Sequence, residues 1–404
     1  MEEPLEESEE EPIEVSRALL ATGVSQMFSD SLANRFLNLL AVAVGATVKQ
    51  MGFLTAAKSI SSNILQLLWG RMADRYGKKL FIAAGRILNT FVLVGVILIP
   101  APEWLIPLII LFSVFYSMAF PSWKSLLGDY ASESARGEMI GKINSVSMVG
   151  SFAGMLIALL LSLGQVGEST RESYLMVMGL AALMSLVSGV AVLFVEERPP
   201  QGVGGGFRMR SVLRDPRLRK YLLLNTVYGL VMSLAWPLFP FVISEKLRMR
   251  VWQIATFSVL GSLSNLASQR YMGRLMDRVG RRPVIVFSRV IMAVSPIAYA
   301  LAPNWIYIVL SEFIMGIGMG AWGSSESTYT IDLAPRDLRG TYLAASTTAF
   351  GLASFAGSLV GGYMVENILM TNGGFSGINM GLIISGILRA VFGLLYISVY
   401  ESKE

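Results

Sequence analysis

The sequence predicts an all-helical membrane protein with twelve spans in two pseudo-symmetric six-helix bundles, and three observations predict it. The 404 residues are 53% hydrophobic and only 15% charged, where a soluble chain carries roughly 25% charge. Apolar residues fall in runs of about 20 separated by short polar breaks, the length that crosses a bilayer as helix. The second half of the chain also repeats the first at a constant offset. Helices are the only reading of the spans, because an open strand edge finds no hydrogen-bond partner in lipid.

Composition also removes classes of chemistry. Without cysteine, disulfides, thiolate metal sites and thiol nucleophiles are excluded. Without histidine, imidazole acid/base chemistry and His-ligated zinc or haem go too. No metal site, cofactor site or catalytic constellation is expected, so the chain does not read as an enzyme. A proton handled inside it must ride on a carboxylate, a lysine or a tyrosine.

The chain opens with an acidic tail, residues 1–17, whose first sixteen residues hold eight glutamates and two prolines. Such a segment cannot bury enough apolar surface to order itself, and reads as solvated or as a partner-binding arm. It lacks the basic start of a signal peptide, so the first span is expected to stay in the mature protein. Spans follow near 18–45, 51–70, 80–99, 105–128, 139–163 and 174–195, forming a first bundle over 18–195. A second set near 220–243, 252–272, 284–301, 305–331, 341–364 and 379–400 forms a bundle over 220–400, before a short tail at 401–404.

Basic residues set the orientation. The even-numbered breaks and the two termini hold about 22 of the lysines and arginines, while the opposite breaks hold Lys49, Arg171, Lys246, Arg248 and Arg250. Both termini and the linker at 196–219 are therefore expected on the cytoplasmic side of the cell membrane. That linker runs from a glycine-rich stretch into Arg208, Arg210, Arg214, Arg217 and Arg219, a flexible connector ending in a lipid-facing basic segment. The net charge of +5 is thereby topological, and no nucleic-acid partner is expected.

The repeat is the most specific signal. GRMADRYGKK at 70–79 returns as GRLMDRVGRR at 273–282, an offset of 203. The same offset carries Gln50 to Gln253, Gln66 to Gln269, Arg86 to Arg289, Asp129 to Asp332, and Arg136-Gly137 to Arg339-Gly340. It also carries SFAG at 151–154 to SFAG at 354–357. In the loop motifs, Gly77 and Gly280 permit tight turns between antiparallel helices. Asp74 and Asp277 sit where a carboxylate can cap a helix N-terminus or pair with arginine, forming a latch or simply setting topology.

At these residues the chain resembles the major facilitator superfamily, over nearly its whole length. The family's G-x-x-x-D-R-x-G-R/K-R/K loop is present as Gly70, Asp74, Arg75, Gly77, Lys78 and Lys79, and again as Gly273, Asp277, Arg278, Gly280, Arg281 and Arg282. The Asp…Arg-Gly element of loop 4–5 appears in both halves, at Asp129 and Arg136 and at Asp332 and Arg339. The resemblance implies two bundles rocking about a central cavity, with alternating access driven by a gradient. Two departures stand out: residues 108–120 hold no charge where the family often carries an arginine. Gly150-x-x-x-Gly154 stands in place of the glycine-proline antiporter signature.

The repeat also separates scaffold from site. Polar residues shared by both halves serve the common scaffold, and Arg86 and Arg289 are set aside on that ground as snorkelling or latch residues. Intramembrane polar residues without a counterpart are the substrate and coupling candidates: Asp30, Asn34, Arg35, Lys58, Trp123, Lys124, Trp236, Glu312, Glu326 and Arg389. Asp30, Asn34 and Asn38 lie on one face of span 1, and the structural alternative pairs Asp30 with Arg35 or Lys58. A lone charge at the bilayer centre costs about 2.5–3.5 kcal/mol, so each must face a cavity or a partner.

The expectation is a monomeric transporter of a small organic solute, coupled to protons through Asp30 or Glu326 and leaning towards efflux of a lipophilic or cationic compound. The alternative is uptake or exchange of an anionic solute held by Arg35, Lys58 and Lys124. A receptor or membrane enzyme is the remote third reading.

Overall fold

The computed structural model describes residues 16–99, 101–130, 136–163, 170–197, 214–335, 338–369 and 375–401. Among these, the chain forms twelve helical rods and no strand. In the first half α1 is Arg17–Ala43, and α2 spans 48–76 as Val48–Ile60, a π turn Ser61–Leu65 and Gln66–Tyr76. Then come α3 (Lys78–Leu98), α4 (Pro102–Tyr130), α5 (Arg136–Leu163) and α6 (Thr170–Ala191). In the second half α7 spans 216–246, α8 is Val251–Val279, α9 spans 281–301 and α10 is Trp305–Leu333. The last two are α11, Arg339–Met364 with a π turn Val365–Leu369, and α12, Ser376–Leu394. The acidic tail and most of the linker lie outside the described residues.

Eight rods, α3–α6 and α9–α12, are long and apolar enough to cross a membrane by length and composition. The other four, α1, α2, α7 and α8, carry more polar residues or are interrupted. In α7 the interruption follows from Pro237 and Pro240: the helix Pro216–Ser233 ends, and a short helix Phe239–Phe241 and a π turn Val242–Lys246 follow. A proline removes a backbone donor and clashes with the preceding turn. Large apolar side chains point outward all round, among them Phe91, Leu98, Phe194 and Leu223, as a lipid-facing surface requires.

Within the first half α1 packs on α5 and α6, and α3 on α4 and α6; within the second α7 packs on α11, α8 on α10, and α9 on α10 and α12. Glycine sets the closest approaches. A Cβ at Gly150 of α5 would collide with the carbonyl of Val24 in α1, and one at Gly357 of α11 with that of Leu230 in α7. Gly154, the SFAG counterpart of Gly357, also lies against α1, where an added Cβ would stand 3.2 Å from the Phe28 carbonyl, so the shared SFAG segments face the first rod of each half.

The halves meet through α2 with α11, α5 with α8, and α1 with α7. Two faces follow from the connectivity: a basic face carrying the repeated motifs, and the opposite, far face. On the far-face side one buried apolar cluster joins both halves, with Leu40, Met51 and Leu54 packed among the same residues as Leu238, Val242 and Phe257. Gly52 of α2 meets Gly362 of α11 there, backbone to backbone. Towards the basic face the clusters are separate, one around Trp123 and Ile143 and others around Tyr221 and Met276. The molecule is therefore sealed on the far face and parted on the basic face.

The repeated motifs lie partly inside helix. Gly70, Asp74 and Arg75 belong to the last turns of α2, and Gly273, Asp277 and Arg278 to those of α8. Only Gly77 and Gly280 form the turns, at φ 104° and 92°, the left-handed region that favours glycine. The carboxylates that cap the following helices are ones the motif does not contain. Glu197 accepts from the Lys78 amide at 2.5 Å, and Glu401 from the amides of Arg281 and Arg282 at 2.8 and 3.1 Å. Asp74 pairs with Lys78 at 3.8 Å. Arg281 bridges Asp277 and Asp332 at 2.7 and 2.9 Å. Each of these contacts stays inside its own half. The side chains of Asp129, Arg136 and Arg339 lie outside the described residues.

Replacing Gly150 by leucine is expected to cost about 1–3 kcal/mol by overpacking the α1–α5 crossing. Gly179→Ala, where an added Cβ meets nothing within 4 Å, should leave thermal unfolding of the detergent-solubilised protein unchanged or slightly raised.

Candidate functional site

The two duplicated arginines organise the interior. Arg86 of α3 is fully buried, and its guanidinium grips Asp30 of α1 through two hydrogen bonds, of 2.5 and 3.0 Å. That planar fork is the strongest ion-pair geometry available to a carboxylate. Asp30 therefore pairs with Arg86, and neither Arg35 nor Lys58 fills that place.

In the second half Arg289 of α9, 1% exposed, meets a carboxylate from a different rod. Glu326 of α10 lies 3.8 Å from its guanidinium. Asn225 of α7 accepts from Arg289 at 3.4 Å and donates to Glu326 at 3.2 Å. Trp322 donates to the same carboxylate. The Arg289 guanidinium lies over the Trp322 ring at 4.0 Å, with Tyr228 and Tyr396 at 5.1 and 5.2 Å, a desolvated cation–π cage.

A cavity of about 650 Å³ opens between the halves. Its first-half wall carries Asp30, Asn34, Arg35, Asn38, Lys58 and Asn63, and its second-half wall Trp236, Phe239, Tyr299, Glu312 and Phe350. The Lys58 ammonium donates to Asn38 Oδ1 at 2.8 Å; no carboxylate partner accompanies it among the described residues. Arg35 lies 3.9 Å from Glu312 and 5.1 Å from the Phe257 ring, while the Tyr299 hydroxyl donates to Glu312 at 2.8 Å. Nearer the basic face a second cavity, about 640 Å³, is lined by Lys124, Glu326, Met232, Met319 and Trp322. Trp236 and Phe350 belong to both linings, with ring centroids 6.5 Å apart.

Of the residues singled out from sequence, Asp30, Asn34, Arg35, Lys58, Trp236 and Glu312 come together in the central cavity. Lys124 and Glu326 line the second one. Trp123 lines neither: it is 1% exposed in apolar packing between α4 and α1. Arg389 is fully buried and spends its hydrogen bonds on the carbonyls of Met232 and Met292, at 2.6 and 3.2 Å, tying α12 to α7 and α9.

Arg86 and Arg289 do not snorkel, as expected above of residues that both halves share: both are buried and paired, with Asp30 and Glu326. The signal lay one step further along the same offset. Asp30 maps to Ser233 and Glu326 maps back to Trp123, so each shared arginine has a carboxylate particular to its half. Tyr299 left no such signal, since a tyrosine in an apolar span reads as packing.

A family profile described as Major Facilitator Superfamily matches residues 19–265 and 221–404. An uncharacterized MFS-type transporter of Methanocaldococcus jannaschii is 23% identical over 379 residues, covering 90% of this chain and 92% of that relative. The multi-drug resistance efflux pump PmrA homolog of Lactococcus lactis subsp. lactis is 23% identical over 364 residues, covering 85% and 87%. Among solved structures, that of the nucleoside transporter NupG overlays with a TM-score of 0.75 at 15% identity, covering 95% of this chain and 99% of that one.

Removing one partner of the α1–α3 pair should be expensive. Asp30→Ala strands a buried guanidinium, at a cost of about 3–5 kcal/mol. The double change Asp30→Ala with Arg86→Met should recover most of that loss in thermal unfolding. A double variant no more stable than Asp30→Ala would show that the pair is not what the arginine is there to satisfy.

Proposed function

The chain belongs to the Major Facilitator Superfamily, and we propose that it is a secondary active transporter moving a small organic solute by alternating access, coupled to protons. The observation that carries this reading is the central cavity itself. It lies between two separately packed halves, sealed on the far face and lined by ionisable side chains from both. Intramembrane ionisable groups facing a cavity mark a substrate or proton path. The basic face is assigned to the cytoplasm by its lysines and arginines, the protein to the cell membrane, and the working unit to a monomer.

Direction and solute class follow from separate observations. The efflux-pump relatives favour export, and the methionine and aromatic walls of the second cavity suit a lipophilic or cationic compound. A second reading has its own support. Lys58 and Lys124 face the cavities with no carboxylate partner among the described residues, while Asp30 is already held by Arg86. An anionic group on the solute would supply the missing charge, as in uptake or exchange of an organic anion.

Purified protein in liposomes with an imposed pH gradient tests both. Ethidium serves as the lipophilic cation and benzoate as the organic anion. Movement of either probe should follow the gradient, and movement indifferent to it would remove proton coupling. Lys58→Ala should cut benzoate flux by about tenfold or more, with ethidium untouched, if the anionic reading holds. Gradient-driven movement of ethidium that survives Lys58→Ala, with no movement of benzoate, supports the cationic one.

A further inference from the structure

We propose that the outer groove where α2 meets α11 binds an anionic phospholipid of the far-face leaflet, and that this lipid holds the far face shut. The shutting rests on the transport reading above, in which the halves rock; the binding does not.

The groove has a volume of about 620 Å³. Lys49 and Phe53 line it from α2, and a stripe running from Leu359 to Ile368 lines it from α11. Phe53, Val360, Tyr363 and Ile368 each keep half or more of their surface exposed, so the groove opens outward, to lipid. Nine residues separate Leu359 from Ile368, which makes the groove about 13 Å long, parallel to the rods and so to the lipid chains. It is apolar along that length and carries its one cation, Lys49, at the far-face end. An apolar slot with a cation at headgroup level is the complement of an acyl chain with a phosphate above it.

Lys49 has no evident task inside the protein. It stands in the first turn of α2, where a cation opposes the helix dipole. Its ammonium lies 5.8 Å from the centre of the Tyr363 ring, and no carboxylate pairs with it among the described residues. Glu366, the neighbouring acid on α11, accepts instead from the Lys49 amide at 2.6 Å.

The repeat separates this site from its scaffold. The offset of 203 takes Phe53 to Thr256 and takes Leu359 back to Leu156. Thr256 and Leu156 line a matching groove of about 470 Å³ between α8 and α5. The duplicated fold therefore makes two such grooves, one at each seam. Only the first has a headgroup end, since Lys49 maps to Trp252 and Tyr363 maps back to Leu160, and the lining of the second carries no charge. The walls of the first groove also come from different halves. They stand together only while the far face is closed, so a lipid seated between them favours that state over the parted one.

The absence of cysteine allows a site-specific readout. A bimane label on Phe53→Cys reports the groove, and one on Leu156→Cys reports its mate. In phosphatidylcholine bilayers containing chain-brominated phosphatidylglycerol, quenching at Phe53→Cys should correspond to about two- to fivefold more phosphatidylglycerol than the bulk holds, the scale of one lysine at an anionic headgroup. Leu156→Cys should report the bulk fraction. Adding Lys49→Gln should return Phe53→Cys to the bulk fraction, while millimolar inorganic phosphate should leave the enrichment in place. Spin labels on Ala43→Cys and Pro303→Cys, exposed far-face positions of the two halves, should show the short-distance, far-closed population rising with phosphatidylglycerol, and no rise with Lys49→Gln. Equal enrichment in both grooves, enrichment that survives Lys49→Gln, or enrichment that inorganic phosphate abolishes overturns the site. Enrichment without a change in label distance overturns the shutting. None of these measurements reads transport, whose own failure the liposome flux reports separately.

Discussion

Everything in the interior depends on one constraint: a charge placed in a bilayer must have a partner there. The repeat doubled a buried arginine on the third rod of each half, and each copy then required a carboxylate within reach. The two halves met that requirement from different rods, Asp30 on α1 in the first and Glu326 on α10 in the second. Backbone architecture and arginine stayed duplicated while the acid moved. The cavity consequently has unlike walls, amide and ammonium on one side, aromatic rings and Glu312 on the other. A pseudo-symmetric scaffold thereby encloses an asymmetric site.

Much of the fold was legible because lipid enforces simple rules. Run lengths mark the helices, and a constant offset marks the two halves. What ran past legibility is instructive. The ends of α2 and α8 extend through Gly70 and Gly273 because a glycine inside a helix costs only about 1 kcal/mol, which a packed rod absorbs. The candidate site was half legible. Most charges without repeat counterparts did gather at the cavities, while Arg389 met its need on the carbonyls of Met232 and Met292 instead. Trp123 did not gather there, because a tryptophan carries no such obligation and is equally at home in apolar packing. Arg86 and Arg289 line neither cavity, yet each pairs with an unshared carboxylate that does, Asp30 in one and Glu326 in the other.

The four rods with the weakest membrane character, α1, α2, α7 and α8, are where the halves meet or where polar groups face the cavity. Their polarity and breaks belong to that position. The π turn in α2 carries Ser62 and Asn63 into the cavity lining, and the proline break in α7 presents Trp236 and Phe239. A rod facing lipid all round could tolerate neither, since freed backbone groups there would find no partner.

The strengths of the contacts are ranked in the order that alternating access requires. Within the first half the Asp30–Arg86 grip is fork-shaped, short and dry, and breaking such a pair costs about 3–5 kcal/mol. Between the halves Arg35 and Glu312 stand 3.9 Å apart, with 35% and 16% of their side chains exposed. A pair so loose and wet is worth about 0–1 kcal/mol. Apolar packing, glycine contacts and a hydrogen bond from the Lys49 amide to Glu366 at 2.6 Å supply the rest of the far-face seal, and apolar contact re-forms in any register that excludes water. Rocking therefore breaks these contacts between the halves and spares the buried fork inside the first, so each half moves as a body. Were the ranking reversed, with a tight fork across the interface and loose pairs inside, the same helices would favour local unfolding over rigid rotation.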